Sequence, residues 1–443
     1  MTLEKQDSHS ERYGWYVVFV LCVCGVVAYI DRQIINLLVE DIKIDLSVSD
    51  TEISLLQGFA FAVFYALVAI PLGRIADSKN RRYLITAGIL AWTAAAVACG
   101  LAQSYSQLFV ARMFVGVGEA VLTPAGFSLL ADLFKPQRLA RPVSVFTASS
   151  FFGSGIALVV GGVIVNQLTA AGGLTLPLIG DVAVWQGAFI LGALPGIPVA
   201  IWFFFSVREP PRRTTEAIQM DAEAYRHGFV EAIRYLSANR RLFFAVFVGL
   251  SLIASAQFAL GAWIPAFFIR VHGWTPGDIG AVQGLLFLIG GTLGVISGGW
   301  ITDALRARGY HDANLRTAAI AAVLAIPFLA AVPAVSDPRM AVALLAPGMY
   351  LGTVPFGAGA AVIPTVSPPI FRAQLVALYL LVANLIGQAG GPWGVAFMTD
   401  FVFGDDQAIG RSLMVVVPTL LILGAIIATI GWRPLAEKSG ASD

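Results

Sequence analysis

Gly73-Arg74-Ile75-Ala76-Asp77 closes one long apolar run, with Arg81 and Arg82 just beyond it. Gly299-Trp300-Ile301-Thr302-Asp303 closes another, with Arg306 and Arg308 beyond. The two stretches lie about half the 443-residue chain apart. A second pairing accompanies them: Arg138 precedes Gly153-Ser154-Gly155 by fifteen residues, and Arg372 precedes Gly387 by fifteen. A repeat at half the chain length, set among apolar runs, points to two related helical bundles that move a solute about a central site. It counts against a single-pass receptor or a simple scaffold.

Composition agrees. The chain is 58% hydrophobic and only 12% charged, where soluble proteins carry roughly 25% charged residues. Lipid must be the solvent for much of it. Glycine (45) and proline (22) are both well represented, as in membrane helices that pack closely and kink. The net charge of +1, spread over short loops, gives no nucleic-acid surface. Cys22, Cys24 and Cys99 lie inside apolar runs; Cys22 and Cys24 point to different helix faces, so no disulfide between them is expected. His9, His227, His272 and His311 show no metal-ligand spacing, and neither metal nor cofactor is expected. The polar segment Met1–Arg12 precedes an apolar run too long for a cleaved signal.

A bilayer core takes roughly 20 apolar residues per helix. Runs of that length are predicted at Gly14–Leu38, Ile53–Ala76, Tyr83–Ala102, Ser106–Leu130, Val143–Leu168 and Val184–Val207 in the first half. The second half has Leu242–Phe268, Ile279–Ile301, Ala318–Val335, Ala341–Val366, Leu375–Met398 and Leu413–Trp432. The expected fold is an all-α membrane protein of twelve transmembrane helices in two pseudo-symmetric six-helix bundles. Residues 1–13 form a cytoplasmic segment, 14–207 the first bundle, 208–241 a linker, 242–432 the second bundle and 433–443 a cytoplasmic tail. In the linker Ile218, Ala222, Tyr225, Phe229, Ile233 and Leu236 recur every three or four residues, predicting an amphipathic helix on the membrane surface; a plain tether fits equally well. With the N-terminus inside, 22 of the 28 Lys and Arg fall in inner segments, four in outer ones, and Arg32 and Arg112 within spans. That excess places both termini in the cytoplasm, and the short loops suggest a multi-pass protein of a bacterial inner membrane.

Four ionisable residues lie well inside predicted spans: Asp31 and Arg32 in the first, Arg112 and Glu119 in the fourth. Intramembrane charge costs roughly 2.5–3.5 kcal/mol on insertion scales and marks function. Counting residues from the outer ends at 1.5 Å each puts Asp31 and Arg112 both roughly 10 Å deep. Glu119 follows Arg112 by nearly two turns, on the same face. Arg112 is therefore expected to be an internal cation competed for by Asp31 and Glu119, each taking up a proton when it loses Arg112. Arg32 points about 100° away from Asp31 and is assigned to an anionic headgroup; a structural pair with a neighbouring carboxylate is the alternative. The second half offers neutral polar groups such as Gln257, Gln283, Asn384 and Gln388 against an otherwise apolar wall. Arg32, Arg112, Asn384 and Gln388 are the candidate substrate contacts. The asymmetry favours an amphiphile over a sugar.

The Gly73–Asp77 element with Arg81 and Arg82, repeated at Gly299–Asp303, resembles the loop signature of the major facilitator superfamily, with Asn80 where that pattern has Gly. Arg112–Ala120 resembles its Arg-containing fourth-span motif, and Gly153, Gly155, Gly161 and Gly162 its fifth-span motif without the usual Gly-Pro pair. Tyr29-Ile30-Asp31-Arg32, Gly118-Glu119-Ala120, Ala131-Asp132-Leu133-Phe134 with Arg138, and Gly153-Ser154-Gly155 occur in the order of spinster-like lipid transporters. In the second half Phe371-Arg372, Gly387 and Pro392 are similar to the same family, more loosely.

The resemblance implies the major facilitator fold and proton-coupled movement of a lysophospholipid or sphingosine-1-phosphate-like amphiphile. A proton-coupled organic-anion or sugar-phosphate symporter of the same superfamily is the alternative. Gly73, Asp77, Arg81, Arg82, Asp132, Arg138 and Asp303 form the expected cytoplasmic gate. The partners are then the bilayer, an anionic amphiphile and protons, handled by a monomer. No enzyme is expected, since the intramembrane charges include no His or Cys. A Walker-type phosphate loop is absent from the sequence.

Overall fold

The computed structural model describes residues 2–135, 138–177, 180–212, 231–359, 362–368 and 372–440. Among them twelve helices are long and apolar enough to cross a membrane. Spans 1 to 6 are Glu11–Leu37, Asp50–Ala69, Arg81–Gly100, Tyr105–Leu133, Arg141–Ala171 and Val184–Ser206. Spans 7 to 12 are Arg240–His272, Pro276–Ala307, Ala313–Ala334, Pro338–Gly359, Gln374–Phe403 and Asp406–Ile430. Each overlaps its expected run, with shifts of a few residues at most ends. One short antiparallel hairpin, Leu174–Leu176 with Gly180–Val182, adds a β element that hydropathy did not reveal.

Local chemistry sets the helix ends. Ser49 and Glu52 form a capping box at the start of span 2, and Thr275 with Asp278 does the same for span 8, with Pro276 in its first turn. Spans 5 and 7 stop at Gly172 and Gly273, both left-handed. Asn80 caps span 3: its side chain accepts the Tyr83 N–H at 3.2 Å, and its φ of −66° needs no glycine. This is the physical content of the departure from the loop signature at that position.

The chain forms two compact units, and they do not follow the sequence halves throughout. The first contains residues 1–48, 60–214 and 275–288; the second contains 49–59, 215–274 and 289–443. The N-terminal end of span 2 thus packs in the second unit and the N-terminal part of span 8 in the first. Within the first unit, Gly116 lies so close to span 2 that an added Cβ would sit 2.7 Å from the Phe61 carbonyl oxygen. Span 5 receives span 8 in the same way, a Cβ on Gly155 falling 2.5 Å from the Gly284 oxygen. The span 5 glycines serve close packing, as small residues do between membrane helices.

Residues 213–230 of the linker, with Ile218, Ala222, Tyr225 and Phe229, lie outside the described residues. The part that is described, 231–238, is helical. Tyr235 there donates to the Val366 carbonyl at 2.6 Å and accepts from Lys438 Nζ at 2.6 Å, which ties this helix to the second unit. The three cysteines are free and buried.

Candidate functional site

Span 1 carries Asp31 and Arg32 just before its α-helix ends at Gln33 and tightens into the 3-10 turn Ile34–Leu37. The carbonyls of a helix's last turn lack intrahelical partners. Arg112 of span 4 uses one of them: its Nη1 donates to the main-chain oxygen of Asp31 at 2.8 Å. A guanidinium there also meets the negative end of the helix dipole. The Asp31 carboxyl, 1% exposed, has no hydrogen-bond partner on either oxygen among the described residues. Arg112 thus meets Asp31 at its main-chain oxygen, not by a hydrogen bond to the carboxylate expected to compete for it.

Arg32 makes the carboxylate pair that stood as the alternative to a headgroup contact. Its Nε lies 2.5 Å from Oε2 of Glu119, so the cation assigned to a headgroup is bound by the carboxylate assigned to Arg112. The Arg32 side chain stays 20% exposed while Glu119 is 1% exposed. Three aromatic rings surround the guanidinium: Phe61 at 4.2 Å, Tyr29 at 5.0 Å and Tyr65 at 5.2 Å from its Cζ. Phe61 and Tyr65 stack at 5.5 Å, and the Tyr65 hydroxyl meets Thr123 Oγ1 at 3.2 Å. Arg112 Cζ is 6.0 Å from the Phe61 ring. Of the three, Tyr29 entered the sequence reading only as part of the Tyr29–Arg32 element, and Phe61 and Tyr65 not at all, since rings in an apolar span carry no distinguishing signal.

Asn384 and Gln388 of span 11 belong to the second unit and are half-buried, within a π-helical turn, Ala383–Ala389. Such a turn frees a carbonyl, and here the Ser255 hydroxyl donates to that of Ile386.

At the start of span 3 in the first unit Arg81, 1% exposed, is the hub. Its Nη1 donates to Asp132 at 2.5 Å and to the Ser128 carbonyl at 2.9 Å, and its Nε donates to Glu209 at 2.7 Å. Glu209 also accepts the main-chain N–H groups of Arg81 and Arg82, at the positive end of span 3. Glu209 was not picked out in the sequence, although it is the acidic residue in a strongly basic stretch. Arg82 turns to the Phe204 carbonyl and ring, and Arg138 pairs with Glu11 at the exposed surface. The Asp77 side chain lies outside what is described. In the second copy Asp303 is exposed, and Arg306 instead binds Asn314, whose amide donates to the Ala358 carbonyl.

A further charged cluster sits in the second unit. Arg270 grips both oxygens of Asp50, at 2.6 and 2.7 Å, with side chains 3% and 0% exposed. The Thr51 N–H donates to Asp400 at 2.6 Å. Asp50, Asp400 and Asp406 each bring one carboxylate oxygen within 4.8 Å of the others, with the Arg270 cation among them. The second half is therefore not simply an apolar wall: Arg270, counted as an outer-loop charge, is buried because its partner arrives from span 2.

The profile of the Major Facilitator Superfamily matches residues 21–392. An MFS-type efflux pump of Mycolicibacterium smegmatis is 29% identical over 95% of this chain and 93% of its own length. Protein spinster homolog 1 of Bos taurus is 26% identical over 97% and 81%. A bacterial homologue of the human lysosomal transporter Spinster, solved inward-facing and unoccupied, superposes with a TM-score of 0.77 at 24% identity, over 97% of each chain.

Proposed function

This chain belongs to the Major Facilitator Superfamily, and we propose that it is a proton-coupled secondary transporter of an anionic amphiphile working by rocker-switch alternating access. It is a spinster-like membrane transporter rather than an enzyme. The observation that carries the finer reading is the Arg32–Glu119 pair. Arg32 is partly exposed and held by the buried Glu119 carboxylate, so it is a cation that can be released. A proton on Glu119 removes the ion pair and turns Arg32 toward an anionic headgroup, a group that guanidinium recognises well. Asp31, buried without a hydrogen-bond donor among the described residues, is the second proton acceptor, and Arg112 fixes the main chain beneath it. Asn384 and Gln388 are the second unit's polar candidates for the same substrate. The Arg81 hub, with Asp132 and Glu209, serves as the cytoplasmic gate, and a bacterial inner membrane with both termini inside is the setting.

The test is uptake into proteoliposomes of fluorescent lysophosphatidylglycerol against radiolabelled gluconate, with and without an imposed proton gradient. Gradient-driven lysolipid movement that disappears in Glu119→Gln is the expected result. Gluconate movement alone would favour an organic-anion symporter, and rates indifferent to the gradient would remove proton coupling.

A further inference from the structure

Span 2 is α-helical over Asp50–Ser54, π-helical over Leu55–Phe59 and α-helical again from Ala60. Its packing changes at that turn: residues up to Phe59 belong to the second unit, and from Ala60 onward to the first. Span 8 repeats the arrangement, with a π-helical turn at Leu286–Gly291 and the change between Leu288 and Ile289. Matching sequence lies within the first turn and just ahead of the second. Gln57-Gly58-Phe59-Ala60-Phe61 matches Gln283-Gly284-Leu285-Leu286-Phe287 at the spacing that relates Gly73 to Gly299.

The shared residues do the same work. Gln57 and Gln283 are both buried. A Cβ on Gly58 would lie 2.5 Å from the Gln388 carbonyl oxygen, and one on Gly284 would lie 2.6 Å from that of Gly155. Each glycine thus seats its span against a helix of the unit that holds the N-terminal segment. A π-helical turn interrupts the regular hydrogen-bond ladder, and it is where a helix bends at low cost.

Phe61 stands two residues beyond the first turn and is 1% exposed. Its carbonyl abuts Gly116 of span 4, and its ring faces both guanidiniums, Arg32 at 4.2 Å and Arg112 at 6.0 Å. Accepting the reading of Arg32 and Glu119 above, we propose that Phe61 is a positioning residue that holds Arg32 on Glu119 and links its release to bending of span 2 at the Leu55–Phe59 turn. A bend there moves the Phe61 ring relative to span 1, and the guanidinium loses the face that steadies it. The ionisable groups around Glu119 that share this environment are Asp31, Arg32 and Tyr29 of span 1, Tyr65 of span 2, Cys99 of span 3 and Arg112 of span 4.

Phe61→Leu removes the ring and keeps the site apolar, and Phe61→Tyr keeps the ring. Thermal unfolding of the purified, lipid-reconstituted protein is followed across pH, which needs no substrate; Glu119→Gln identifies the pH-dependent step that belongs to the pair. That step is expected to move to higher pH in Phe61→Leu and to stay in place in Phe61→Tyr, with lysophosphatidylglycerol transport displaced in parallel. If Phe61→Leu does not fold, Phe61→Met gives the same comparison. A Glu119-dependent step that neither apolar variant moves overturns the role of Phe61 alone. A wild-type curve on which Glu119→Gln has no effect overturns the proton reading, and this proposal with it.

Discussion

Arg112 reaches the main-chain carbonyl of Asp31 at 2.8 Å, and among the described residues the adjacent carboxyl group has no hydrogen bond. The two groups of one residue are thus engaged differently, the main-chain oxygen anchoring span 4 to the end of span 1 and the carboxyl making no hydrogen bond among the described residues.

Asp31→Asn should therefore leave the fold intact. No hydrogen bond of the carboxyl is lost, and an amide of the same shape fills its place. The melting temperature is expected to stay within a few degrees of wild type, while gradient-driven transport falls at least tenfold. Arg112→Met, which removes the anchor from the carbonyl, should lower the melting temperature as well. Equal loss of stability in both variants would contradict this separation.

The Arg32–Glu119 pair calls for a double-mutant cycle. Removing one partner of a buried pair leaves an uncompensated charge and typically costs about 3–5 kcal/mol, whereas replacing both by apolar groups is often neutral. Arg32→Met is expected to destabilise strongly, and Arg32→Met with Glu119→Leu to recover most of the loss, with transport absent in both. Denaturant unfolding in detergent provides the measurement. Additive effects of the two substitutions would show that the pair contributes no coupling.

Asp50 and Arg270 make the stricter geometric demand. The two-pronged contact suits a planar guanidinium, and a lysine ammonium acts as a single point charge. Arg270→Lys should lose most of what Arg270→Ala loses, although the charge is kept. Because Asp50 belongs to the span whose two segments pack in different units, transport rate should change more than apparent substrate affinity. The comparison of maximal rate with half-saturation for lysophosphatidylglycerol checks this, and a lysine variant with wild-type rates would rule it out.

Much of this was legible in the chain itself. Twelve apolar runs, the repeated Gly-Arg-Ile-Ala-Asp and Gly-Trp-Ile-Thr-Asp elements, and four charges within spans determined a two-halved membrane transporter, because burial in lipid penalises every exposed polar group and leaves a plain mark on composition. Helical periodicity also placed Glu119 on the face of Arg112, and Asn80 was visible as a departure from the loop signature. What periodicity does not carry is which partner a side chain meets across helices. Arg32 and Arg112 are chemically alike, and only the approach of span 4 to the end of span 1 gave the carbonyl to one and Glu119 to the other. The same limit hid Glu209 and the burial of Arg270. Each depends on residues more than a hundred positions away in the chain, brought near by packing that small residues permit and that no local pattern records.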